Sequence, residues 1–283
     1  MTVLHAGGLT TTCLDVGEPG VREAVVFLHG APGCAAEWQP LLARIGALGR
    51  AVAVDLPGFG SCRTPPGFDH HAAGGYRAFL DAAFAELGLD RVHLVCHGFG
   101  AAWGLAWAAY RPRRLGSLTT ISAPPPPEHR PHPWARAWRI PLAGEIVQLA
   151  TTRHTLRWAL RRASPGANAS GFADRLFADY DRHTRRTVLS VYRADRDPAM
   201  FDTAVAAHVP GLALYGARDP WLPHGFTRAE TAARPHCHVE VLPELGHWPH
   251  ADAPGTVAEQ LVLFLRRHIR PTPDDVPAGS GYR

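Results

Sequence analysis

The chain has 283 residues, 46% of them hydrophobic and 19% charged, with a formal net charge of +4. That supplies enough apolar side chain for one large α/β domain, or for such a core with an inserted lid, and it excludes a disordered chain. No stretch of about 18 apolar residues occurs, so no transmembrane helix is expected. All 29 basic residues are arginine, which excludes Schiff-base lysine chemistry and the phosphate-loop lysine.

Met1 to Leu14 lack a basic stretch followed by an apolar one, which reads as no signal peptide and a cytoplasmic protein. The elements then follow in order. Ala24 to His29 and Ala51 to Leu56 are short apolar runs stopped by glycine or proline, and they read as buried strands around a helix over Trp38 to Leu48. Gly75 to Leu87 reads as a helix, Arg91 to Cys96 as a strand, Phe99 to Tyr110 as a helix and Leu115 to Ser122 as a strand. This alternation predicts a mostly parallel sheet covered by helices on both faces. Residues 124–127 are four prolines, which continue neither a strand nor a helix. From 123 to 205 the text is helical and rich in Arg and Trp, with breaks at Pro141, Ser164-Pro165-Gly166 and Pro198, and it reads as an inserted helical cap. The alternation resumes with strands Gly211 to Tyr215 and His238 to Leu242, and helices Pro223 to Ala233 and Gly255 to His268. The predicted core is thus residues 1–122 and 206–270, with a loose tail over 271–283.

The five cysteines are widely spaced and the 17 histidines form no HExxH pattern, so neither a disulfide framework nor a metal site is expected. Residues 123–205 carry 13 Arg against 8 Asp and Glu, a balance of +5, leaving −1 on the rest. This reads either as a solvated helical segment or as a cationic mouth for acidic substrates. No nucleic-acid motif accompanies the charge.

Four segments follow the predicted strands: His29-Gly30-Ala31-Pro32-Gly33, Asp55 to Ser61, Cys96-His97-Gly98-Phe99-Gly100, and the pair Gly216-Ala217-Arg218-Asp219 and Gly246-His247. Together, in this order, they resemble the α/β-hydrolase superfamily over roughly residues 10 to 270. The resemblance implies a sharp strand-to-helix elbow presenting a nucleophile, an oxyanion hole from the amides of Ala31 and Phe99, and His247 as general base oriented by Asp219. The elbow position is here Gly98, which has no side chain and forms no covalent ester. Cys96 is expected to point into the sheet and His97 to be structural. Trp38, Tyr110-Arg111-Pro112 and Val191-Tyr192-Arg193-Ala194 look like epoxide hydrolases and their dehalogenase relatives. In the former, a lid tyrosine donates to the epoxide oxygen, which makes Tyr192 either such a donor or an ordinary amphipathic lid residue. Ala31 and Phe99 are not the donors with which dehalogenases hold halide, which argues against dehalogenation.

Trp134, Trp138 and Trp158 fall in the cap, and Trp221 and Trp248 adjoin the Asp219 and His247 loops. Aromatic walls suit a partly apolar substrate, although core packing explains any one of them. Trp103 and Trp107 are assigned to the core. Substrate contacts are expected from Tyr192, Trp38, Trp221, Trp248 and His29, with no cofactor, metal, nucleic acid or membrane partner. The expected function is a non-covalent lyase, isomerase or cyclase that uses His247 and Asp219 on a small metabolite. The alternatives are a hydrolase of ester, lactone or epoxide that activates water directly, an engineered Gly in a Ser esterase or Asp-type epoxide hydrolase, and a ligand-binding protein without catalysis.

Overall fold

The computed structural model describes residues 1–18, 20–123, 133–164, 169–194, 197–222 and 225–269. The strands are β1 (Thr2–Ala6), β2 (Leu9–Val16), β3 (Glu23–Leu28), β4 (Arg50–Val54), β5 (Arg91–His97), β6 (Leu115–Ile121), β7 (Gly211–Gly216) and β8 (Cys237–Leu242). They form one sheet in the order β1-β2-β4-β3-β5-β6-β7-β8. β1 pairs with β2 and β2 with β4 antiparallel, and every later pairing is parallel.

The parallel strands fall where the sequence predicts them, with ends displaced by a residue or two. The β1–β2 hairpin is an addition to the sequence reading. Gly7 and Gly8, at φ 58° and 77°, make its two-residue turn, a conformation that favours glycine. Its outer strands alternate between buried and exposed residues, unlike the continuous apolar runs of the central strands.

The helices are α1 (Gln39–Gly46), α2 (Arg77–Glu86), α3 (Phe99–Tyr110), α4 (Pro133–Trp138), α5 (Ala143–Ala150), α6 (Arg153–Ala163), α7 (Ala169–Ala178), α8 (Arg182–Ala194), α9 (Phe226–Ala233), α10 (Pro249–Asp252) and α11 (Pro254–Leu265). Strand β3 shows how the sheet feeds both layers. Ala24, Val26 and Leu28 pack with Phe79, Leu80, Trp103 and Trp107 of α2 and α3. Val25 and Phe27 face the other way, onto Trp38 and onto Leu41 and Leu261 of α1 and α11. The period of two thus places alternate side chains in opposite cores.

Helices α4 to α8 lie between β6 and β7 in the chain. Arg157 on α6 pairs with Asp174 on α7, and Arg193 on α8 with Glu145 on α5, so part of the predicted basic segment is internally neutralised. The proline run 124–127, the break at Pro165-Gly166 and the tail 271–283 lie outside the described residues. No helix among the described residues is long and apolar enough to cross a membrane.

Candidate active site

Gly98 closes β5 and caps α3 with φ 50° and ψ −123°, a region that costs a side-chain-bearing residue about 1–3 kcal/mol and glycine little. Its N–H donates to the Ile121 carbonyl at 3.2 Å, and its carbonyl accepts from Ala101 N at 2.9 Å. A Cβ at Gly98 would meet only Gly30 Cα, at 3.9 Å, so the point where a nucleophile would stand is open. Gly100 is required for a different reason: a Cβ there would come within 2.4 Å of the Leu28 carbonyl, preventing the close approach of α3 to β3.

Asp219 follows β7 and His247 follows β8. The two loops are laced together, Ala217 N donating to Leu242 O and Arg218 N to Leu245 O, each at 2.9 Å. His247 Nδ1 stands 2.7 Å from Asp219 Oδ2, while Asp219 Oδ1 accepts from Trp221 N at 2.9 Å. The Asp219 side chain is 2% exposed and that of His247 17%. An ionised carboxylate only accepts, so Nδ1 carries the proton and Nε2 is left basic. The loop is also fastened to the end of α6, where His247 N donates to Ala163 O at 2.7 Å and Trp248 N to Ser164 Oγ at 2.8 Å.

Gly98, His247 and Asp219 line one cavity of about 160 Å³, room for a group the size of a benzene ring. Ala31, Phe99, Tyr192, Trp221 and Trp248 line it too, as do Trp134 and Trp138. Trp221 and Trp248 each pack edge-on against His247, with ring centroids 4.6 Å apart. Tyr192 is buried, donates to the Ala31 carbonyl at 3.2 Å, and sets its ring against Phe99 and Trp138. Burial pushes its phenol up, so it stays protonated.

Two expected contacts, Trp38 and His29, fall elsewhere, and so does the cap residue Trp158. Trp38 is fully buried in the opposite core layer, stacked on His250 at 4.4 Å. His29 is fully buried and spends both ring nitrogens on the backbone: Nε2 accepts from Leu56 N at 3.0 Å, and Nδ1 lies 2.8 Å from the Gly30 carbonyl. Neither lines the cavity, because the motif places them beside it in sequence but aims them into the scaffold. Trp158 is 56% exposed, with the Arg162 guanidinium over its ring. Asp55 is likewise structural, its carboxylate accepting from Ala35 N, Ser61 N and Ser61 Oγ. Cys96 packs against α3 at Gly104, and burial pushes its thiol up, which removes it as a nucleophile.

Two features lie beyond the sequence reading. Ser122, at the end of β6, lines the cavity. Behind the dyad, Glu37, His97 and His250 bring one ligand-type atom each to within 4.8 Å of one another, all buried. These residue types suit a divalent ion, although Glu37 Oε1 already accepts from Cys34 N at 3.0 Å and His97 Nε2 lies 3.0 Å from the His247 carbonyl. Burial holds His97 well below the ordinary histidine range and His250 down to about 3, while it pushes Glu37 up to about 7. Two uncharged imidazoles thus lie behind the His247 loop, His97 bonded to the His247 carbonyl and His250 to Glu37 at 3.4 Å.

Known proteins share this architecture. Epoxide hydrolase 2 of Siraitia grosvenorii is 36% identical over 126 residues, which is 43% of this chain and 38% of that protein. A haloalkane dehalogenase of Agrobacterium fabrum is 37% identical over 101 residues, 36% of this chain and 33% of the dehalogenase. The matched stretches therefore span under half of these relatives. The crystal structure of epoxide hydrolase A from Mycobacterium thermoresistibile superposes with a TM-score of 0.77 at 19% identity, covering 94% of this chain and 97% of that one, and so shares the fold. The profile of the alpha/beta hydrolase family matches residues 25–260. With the parallel sheet, the elbow and the His–Asp pair at the ends of its strands, the chain belongs to the alpha/beta hydrolase family.

Proposed function

We propose that this protein is an enzyme that works without a covalent intermediate, with His247 as general acid and base on a small, partly apolar metabolite, in a lyase, isomerase or cyclase reaction. One observation carries the reading: Gly98 keeps the elbow backbone but offers no nucleophile, while His247 and Asp219 stand 2.7 Å apart beside the same cavity. In the proposed step, His247 Nε2 takes a proton from the substrate and Asp219 stabilises the imidazolium. The amides of Ala31 and Phe99 face the oxyanion that develops, and the proton returns to a different atom of the product. Proton transfer of this kind contributes roughly 10²- to 10⁴-fold in rate. Residues 123–205 act in this proposal as the cap that excludes water.

The test is mass spectrometry of a metabolite extract of the source organism, incubated with the protein and with His247→Ala. Consumption of one compound by the unmodified protein alone, with no mass change or with loss of a fragment, supports the reading. Equal consumption by both proteins overturns it. The open point at Gly98 also favours a second reading, in which water held there is activated by His247 and attacks an ester, lactone or epoxide. Heavy-oxygen water then labels the product in a single turnover.

A further inference from the structure

We propose that the open point at Gly98, at the N-terminus of α3, binds a carboxylate of the substrate, held by the hydroxyl of Ser122 at the end of β6. The inference rests on the nucleophile-free reading and names its substrate class, a small apolar acid. Ser122 is 4% exposed, lines the cavity, and its Oγ has no hydrogen-bond partner among the described residues. A hydroxyl buried in this way without a partner is costly unless a ligand satisfies it. Its backbone stands at φ 51°, a left-handed conformation that is uncommon for serine and strained unless its surroundings hold it.

The strand register puts this residue beside the elbow. His97 pairs with Ile121 across β5 and β6, Gly98 N donates to Ile121 O at 3.2 Å, and Ser122 N donates to Leu214 O of β7 at 3.0 Å. Ser122 therefore stands between the position that lost its nucleophile and the strand that leads to Asp219. Helix α3 has 12 residues and begins at Phe99, so its positive end faces the same point and favours an anion. Arg139 adds a cation to the cavity wall, while the nearby Asp219 carboxylate is already committed to His247 and to Trp221 N. The rest of the lining is mostly apolar, with Trp134, Trp138, Trp221 and Trp248, but it includes Thr151, Thr155 and a second carboxylate, Asp197, which accepts from Ala199 N at 2.9 Å. A carboxylate on an apolar body matches the donors at one end and the aromatic walls at the other.

Benzoate is the probe, titrated against tryptophan fluorescence with neutral benzamide as its control. The expected result is saturable benzoate binding, with benzamide at least about tenfold weaker, as for loss of a charge-assisted hydrogen bond. Ser122→Ala should weaken benzoate by about tenfold, and Gly98→Asp, which places a carboxylate of the protein in the site, should abolish saturation. Ser122→Gly, which suits the left-handed backbone, takes the place of the alanine variant if that variant does not fold. Absence of benzoate binding, equal binding of benzamide, or benzoate affinity unchanged in both the Ser122 and Gly98 variants overturns the proposal. Benzoate reports binding alone, so an active His247→Ala variant would remove the proton-transfer reading and leave this titration standing.

Discussion

Tyr192 donates its hydroxyl to the Ala31 carbonyl at 3.2 Å, fastening α8 to the loop after β3 across the cavity. The family resemblance leaves Tyr192 as either a donor to the substrate or an ordinary amphipathic lid residue, and in this structure its proton goes to Ala31. Tyr192→Phe should therefore lower stability by about 0.5–1.5 kcal/mol, measured by chemical denaturation. A ligand that recruits the hydroxyl must first release Ala31. An unchanged denaturation midpoint would mean that the contact contributes nothing to the fold.

Gly98→Ser should rebuild a serine nucleophile within the existing frame. The added Cβ has room, with its nearest contact at 3.9 Å, but the backbone conformation costs about 1–3 kcal/mol, so the melting temperature should fall by a few degrees. The variant should react with a fluorophosphonate and lose that reactivity when combined with His247→Ala, while the unmodified chain stays unlabelled. A folded Gly98→Ser variant that fails to react would place His247 out of reach of the elbow, against the proposed mechanism.

Much of the frame was legible in the residues, because buried parallel strands are continuous apolar runs and each is followed by its own loop motif. The elbow, Asp219 and His247 announce themselves in that context. Side-chain direction is less legible: His29 belongs to the same motif as Ala31 and Trp38 follows that motif by five residues, yet both rings enter the scaffold rather than the cavity. Ser122 gives no signal in sequence, since its interest lies in a backbone angle and an unpartnered oxygen. The Glu37–His97–His250 cluster is hidden for a related reason, its members meeting only once the sheet is assembled.

That cluster makes stability depend on pH. His250 is held down to about 3 in the folded chain against an ordinary 6.5, and His97 is lowered as well. Their contribution is complete above pH 6.5 and is lost as pH falls through the folded values, because the unfolded chain takes up protons first. Glu37, raised to about 7 from 4.5, acts in the opposite sense, its contribution present below pH 4.5 and lost as pH rises through 7. With two histidines against one carboxyl, the melting temperature should be lower at about pH 5 than at about pH 7. His250→Gln should shrink that drop and Glu37→Gln should enlarge it. Calorimetry across this range checks both signs, and identical pH profiles for the three proteins would exclude the cluster as the source.

Strands β6 and β7, which lead to Ser122 and Asp219, are braced by a buried ion pair. Glu230 is 0% exposed and Arg234 1%. Arg234 donates from Nε to Glu230 Oε1 at 2.6 Å, from Nη1 to Leu118 O at 3.1 Å and from Nη2 to Thr120 Oγ1 at 2.9 Å. Glu230 Oε2 in turn accepts from Tyr215 Oη at 2.8 Å. Removing one partner leaves the other charged and dry, at a cost of about 3–5 kcal/mol, whereas replacing both with apolar groups is often far less damaging. Arg234→Met and Glu230→Leu should each be strongly destabilising, and the double variant less so than the sum of the two. A double-mutant cycle by denaturant unfolding measures this coupling directly, and simple additivity would show that each residue braces the strands alone.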